Sequence, residues 1–142
     1  MTTIERIVLV DDNEADNVYH EVVLRRAGFA GELQVFEMAE DALAFLAAMP
    51  HRPGGPAGPE VPATLVLLDI NMPGMDGWEF AAAAAPLLAA KPALMLVMLT
   101  SSSAPEDRAR AQSLPGLSGF VTKPLTVETA LELLRRPAGQ VA

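Results

Sequence analysis

The sequence predicts a doubly wound α/β domain, a five-stranded parallel sheet with helices on both faces. Three observations carry that expectation. Uninterrupted apolar runs, Ile7-Val8-Leu9-Val10, Leu65-Val66-Leu67-Leu68 and Ala93 to Leu99, read as strands buried on both faces. Between them lie segments whose apolar residues recur at helical spacing. The runs end in residues that carry chemistry, Asp11 and Asp12, Asp69, and Thr100, at the edge where α/β sheets place ligands. A chain of 142 residues has room for one such domain rather than two.

Each element has its own signal. Ile7 to Val10 is the first strand, rich in β-branched residues and ended by Asp11 and Asp12. A helix from Asn13 to Ala27 follows, with Ala15, Val18, Tyr19, Val22, Val23 and Ala27 at helical spacing, Asn13 as cap and Gly28 as stop. Leu33 to Phe36 is the second strand, and Ala39 to Met49 the second helix, ended by Pro50. Residues 50–62 are dominated by proline and glycine and read as a mobile loop, a tolerated surface insertion rather than a partner-specific contact. Leu65 to Leu68 is the third strand, and Asn71-Met72-Pro73-Gly74 stops it because proline lacks the ladder donor and glycine permits a turn. Asp76 is expected to cap a helix from Trp78 to Ala85, which Pro86 ends or kinks. Ala93 to Leu99 is the fourth strand. Ser103-Ala104-Pro105-Glu106 reads as a capping box opening a helix with few large apolar residues, lightly held on the core. Gly119 to Thr122 is the last strand, ending in Lys123-Pro124. Thr126 caps a final helix to Arg136 whose buried face is Val127, Ala130, Leu131, Leu133 and Leu134. The domain thus spans residues 5–136, and 137–142 form a flexible tail.

Composition narrows the function classes. No cysteine is present, which excludes disulfides, thiolate metal sites and cysteine nucleophiles. A net charge of −8 argues against nucleic acid as a partner, since phosphate binding relies on clustered lysine and arginine. The first residues lack the apolar core of a signal peptide, and the alanine-rich stretch from Phe80 to Ala90 is too short to span a bilayer. A cytoplasmic protein without membrane contact is expected. His20 and His51 read as surface residues.

In the flavodoxin-like strand order the first and third strands are neighbours, which brings Asp11, Asp12 and Asp69 to one rim with Thr100 and Lys123. Hard oxygen ligands without histidine or cysteine favour Mg²⁺, which binds through one or two carboxylates plus waters and phosphate oxygens. A lysine then matches a phosphate as a point charge, and a hydroxyl can donate to a phosphoryl oxygen. This kit suits phosphoryl transfer when a partner supplies the group.

Four motifs in order, Val10-Asp11-Asp12, Leu68-Asp69 through Asp76-Gly77, Leu99-Thr100-Ser101 and Phe120-Val121-Thr122-Lys123-Pro124, closely resemble the receiver domains of two-component response regulators. The resemblance implies that Asp69 is the phosphoacceptor. It implies a metal site in which Asp12 and Asp69 bind directly, Asp11 through water, and Asn71 through its main-chain carbonyl. Thr100 and Ser101 would bind phosphoryl oxygens with Lys123. Thr100 and Phe120 would be the switch pair, and Lys123-Pro124 a cis bond. Asn71 and Ser102 stand where the family tunes the lifetime of the acyl phosphate. The implied partner is a histidine kinase or histidine phosphotransfer protein, with a homodimer through the fourth helix, fifth strand and fifth helix as a further expectation. The long loop resembles that of single-domain regulators paired with phytochrome-type kinases.

The reading is therefore a single-domain regulator, not an enzyme, that accepts a phosphoryl group on Asp69 in a Mg²⁺-dependent reaction and signals by a changed surface or relays the group. Its rivals are weaker. A phosphatase of the haloacid-dehalogenase type needs a second aspartate two residues after the nucleophile, and Asn71 stands there; an amide exchanges no proton usefully near neutral pH. A nucleotide-binding domain needs a glycine-rich phosphate loop, and no such motif occurs. A degenerate receiver acting as a constitutive protein-binding module is the remaining alternative, against which the intact acceptor, metal and lysine positions argue.

Overall fold

A computed structural model describes residues 4–49, 62–91, 93–101, 105–114 and 116–135. The expected loop, apart from Pro62, and the expected tail, together with His51, Ser102, Ser103, Ala104 and Arg136, lie outside them. Strands β1 (Arg6–Val10), β2 (Glu32–Phe36), β3 (Thr64–Asp69), β4 (Leu94–Thr100) and β5 (Leu117–Thr122) alternate with helices α1 (Glu14–Arg26), α2 (Ala39–Ala48), α3 (Gly77–Ala90), α4 (Pro105–Gln112) and α5 (Val127–Arg135). All strand pairs are parallel, in the order β2-β1-β3-β4-β5. β3 and β4 are buried along their whole length, as their unbroken apolar runs require.

Alternation along each strand divides the core into two layers. Val8, Val10, Val66, Leu68, Leu96 and Met98 face α2, α3 and α4, whereas Ile7, Leu9, Leu65, Leu67, Met95, Val97 and Leu99 face α1 and α5. The expected doubly wound sheet is thus the observed fold. Local signals act as anticipated in several places. Asn13 caps α1, its side chain accepting from Asp16 N at 3.0 Å, and Gly28 takes φ +103° just beyond the helix end. Asp76 and Glu79 form a reciprocal capping box on α3. Thr126 Oγ1 accepts from Thr129 N at 3.1 Å.

Four expectations are corrected. α3 does not end at Pro86 but runs to Ala90. Pro86 and Ala82, whose carbonyl loses its helical donor, both lie on the exposed side, where that carbonyl is open to solvent, while Leu88 anchors the next turn in the core. α1 buries Asn17, His20, Val23 and Leu24 rather than its full apolar stripe. Ala15, Val18, Tyr19 and Val22 are exposed, and His20 is only 3% exposed, not a surface residue. On α5 Ala130 and Leu133 are buried, but Val127 is exposed because it sits at the first turn, outside the seam with α1.

Lys91, just past α3, is 5% exposed. Its ammonium donates to the carbonyls of Leu46 at 2.9 Å and Met49 at 3.1 Å, closing the carboxyl end of α2 from another element.

Candidate functional site

Parallel strands all point their carboxyl ends the same way, so the chemistry-bearing ends of β1, β3, β4 and β5 meet at one rim. Asp69 is the last residue of β3 and pairs with Leu99, which places it one residue short of Thr100 on the adjoining strand. Thr100 pairs with Thr122, and its carbonyl accepts from Lys123 N at 2.6 Å. Gly77 lets α3 start close behind the acceptor strand. Its N–H donates to Ile70 O at 2.8 Å, and a Cβ there would stand 2.7 Å from the Ile70 Cα.

Asp11 follows β1 directly. It is held from three sides: its N–H donates to Phe36 O at 3.0 Å, its Oδ1 accepts from Asn13 N at 2.9 Å, and its carbonyl accepts from Asn17 Nδ2 at 2.9 Å. Oxygens of Asp11, Asp12 and Asp69 all lie within 4.8 Å of one another. Asp11 and Asp69 are buried and Asp12 is exposed, so the cluster opens to solvent on the Asp12 side. Three hard carboxylates at that spacing fit a small divalent cation.

Lys123 answers this negative charge. Its Nζ lies 3.1 Å from Asp11 Oδ2, 3.3 Å from Asp69 Oδ1 and 3.1 Å from Asp16 Oδ2. The peptide bond to Pro124 is cis. Burial and the neighbouring Asp11 push the Asp69 carboxyl above the usual carboxylate range, against the pull of Lys123. Burial alone would lower the Lys123 ammonium, but its bonds to Asp16 and Asp11 and the charge of Asp69 raise it instead. His20, beneath this cluster, is pushed down by burial and by Lys123, which Asp11 and Asp16 partly oppose.

The structure brings together Asp11, Asp12, Asp69 and Lys123. Thr100 lies on the adjacent strand end, buried, and Asn71 and Ser101 are exposed at the same rim. Phe120 is half-buried on β5, farther along the sheet face that α4 covers, with the Arg108 guanidinium 5.2 Å from its ring centre. Reading the sequence missed Asp16, Asn17 and His20. The usable signal was their spacing: 16, 17 and 20 share one helical face with Val23 and Leu24, and a polar start to a buried face points to polar work at the adjoining strand end.

Known proteins share this fold. The Response regulator receiver domain family matches residues 7–135. A response regulator receiver protein from Dyadobacter fermentans superposes with a TM-score of 0.78 at 26% identity, covering 93% of this chain and 96% of that one. The bacteriophytochrome response regulator AtBRR is 32% identical, with a TM-score of 0.69 over 92% of each chain. A probable methanogenesis regulatory protein, FilR2 of Methanothrix harundinacea, is 31% identical over 122 residues, 86% of this chain and 74% of that protein. The chain spans about half the length of other curated relatives it matches. By sequence match and by fold, then, the chain belongs to the response regulator receiver domain family.

Proposed function

We propose that this receiver accepts a phosphoryl group on Asp69 from a histidine kinase or a histidine phosphotransfer protein, in the cytoplasm, and signals through its altered surface or passes the group on. The observation that carries the reading is the position of Lys123 Nζ between Asp11 and Asp69, at 3.1 and 3.3 Å, beside a carboxylate cluster of cation-binding size. Asp11, Asp12 and Asp69 would hold Mg²⁺, with the Asn71 carbonyl as a further ligand. The cation, when bound, supplies charge neutralisation for the transferring phosphoryl group.

The chain's own residues do the rest. An ionised Asp69 oxygen attacks phosphorus as the donor's P–N bond breaks, its electron pair staying on the imidazole. Lys123 donates to a phosphoryl oxygen, and Thr100, the last residue of β4, and Ser101, the next, would add hydroxyl donors. Thr100 drawn toward the new oxygens would leave space behind it for Phe120 to fill, altering the face of α4, β5 and α5, where a second copy or a target would bind. That transition is a two-state bias, and moving it from rare to dominant takes roughly 5 kcal/mol of differential stabilisation. The exposed Val18 and Val22, on the helix that starts beside Asp12, offer the donor an apolar surface next to the acceptor.

The test is intact mass after incubation with acetyl phosphate, with and without Mg²⁺, using Asp69→Asn as control. A Mg²⁺-dependent gain of one phosphoryl group, absent in the variant, is expected. If no adduct forms, and a beryllofluoride mimic also fails to bind, the constitutive binding module becomes the better reading.

A further inference from the structure

Lys123 offers three N–H donors and meets three carboxylates. Two of them, Asp11 and Asp69, also belong to the cluster suited to a cation. Asp16 does not. It stands on the first turn of α1, its own N–H fixed by Asn13 Oδ1 at 3.0 Å, and reaches Lys123 at 3.1 Å from the helix side. Resting on the function proposed above, we propose that Asp16 is a positioning residue: it keeps the Lys123 ammonium at the rim when Asp11 and Asp69 turn to the cation and the phosphoryl group.

The cation and the ammonium compete for the same carboxylates. A carboxylate that faces a divalent ion has its charge largely neutralised, so its attraction for the ammonium falls. Asp69 faces the cation in the same way until transfer, and only once it is joined to phosphorus do the phosphoryl oxygens replace it as a partner for Lys123. Two of three anchors therefore weaken at the step where Lys123 is needed. A lysine stem is flexible, and without an anchor its head group returns to water. The third anchor sits on a capped helix whose buried side is tied to Asp11 through Asn17. Asp16's side chain is 42% exposed against 4% for Asp11, so solvent screens its bond and the effect is moderate.

The sequence holds only two lysines, Lys91 and Lys123, which makes a direct test possible. In the ¹⁵N-labelled full chain with saturating Mg²⁺, the two side-chain ammonium signals are assigned with Lys123→Met. Asp16→Ala is expected to speed hydrogen exchange at the Lys123 ammonium about two- to fivefold while leaving the Lys91 signal, which reports an intact fold, unchanged. The rate of phosphorylation by acetyl phosphate should fall by a similar factor, and this fall should vanish in a Lys123→Met background. Unchanged exchange at Lys123, or a rate loss that persists without Lys123, overturns the proposal. If the wild type accepts no phosphoryl group while the exchange result holds, the positioning role stands and the phosphoacceptor reading is what fails.

Discussion

Of the helices that leave chemistry-bearing strand ends, α1 and α4 are held in opposite ways. α1, after Asp11 and Asp12, is bound to the site by polar contacts: Asn17 to the Asp11 carbonyl, Asp16 to Lys123, and the Tyr19 hydroxyl to Leu125 O at 3.1 Å, next to the cis bond. α4, beyond Thr100 and Ser101, buries only Ala111. Among the described residues it also lays two arginines on aromatic rings, Arg110 at 4.4 Å from Trp78 and Arg108 at 5.2 Å from Phe120. One wall of the site is fixed to the carboxylates by short, specific bonds. The other rests on contacts that water can replace at little cost, which is the character of an element that opens locally.

The contrast breaks first at Asn17. Replacing it with alanine leaves the Asp11 carbonyl without its buried donor, at about 1–2 kcal/mol, the lower part of the usual range because the Asn17 Oδ1 is itself buried without a partner and nothing is lost there. Urea denaturation should show that loss, together with weaker Mg²⁺ binding measured by calorimetry. Unchanged stability would mean that α1 is held by Val23 and Leu24 alone.

Arg110→Ala should cost about 0.5–1 kcal/mol, the scale of an exposed cation–π contact. Its more telling effect is local. Amide hydrogen exchange should rise across residues 105–112 and stay unchanged in α1; equal change in both helices would erase the contrast. Tyr19→Phe removes one half-exposed hydrogen bond and should cost about 0.5 kcal/mol, read as faster exchange at Thr126 and Val127 rather than as a large shift in midpoint.

The same contrast marks what could be read from the sequence. Strands β1, β3 and β4 were legible because an uninterrupted apolar run of that length, bounded by polar and turn-forming residues, suits a strand buried on both faces and little else. The strand-end aspartates followed from their places on those runs, and Lys123 from its place after the short last strand. α1 was legible as a helix but not in its orientation. Its apolar residues Val18, Tyr19 and Val22 out-signal Asn17 and His20, yet the buried side faces a polar rim, and there a polar residue with a partner is favoured over an apolar one. Lys91 was invisible for a different reason. Its partners, Leu46 and Met49, are 45 and 42 residues away, and nothing local announces a lysine that closes another helix. Pro86 misled because its usual cost depends on burial of the freed carbonyl, which only the fold decides.

His20 supplies the finest test, because it lies where the two kinds of bonding meet on α1. Its imidazole is buried against the Tyr19 ring at 5.9 Å, with Lys123, Asp11 and Asp16 acting on it from the rim. Burial and then Lys123 lower its proton affinity, so the folded chain takes up this proton at lower pH than the unfolded chain does. A group depressed in this way contributes stability that is present above about pH 6.5, its unfolded value, and is lost as pH falls toward the folded value. Unfolding free energy should therefore decline as pH falls below about 6.5, and His20→Gln should flatten that decline. Lys123→Met should flatten it in part by removing the opposing charge, whereas Arg110→Ala should leave it alone. If both His20→Gln and Lys123→Met keep the wild-type slope, the imidazole is not coupled to the rim, and the polar hold on α1 stops at Asn17.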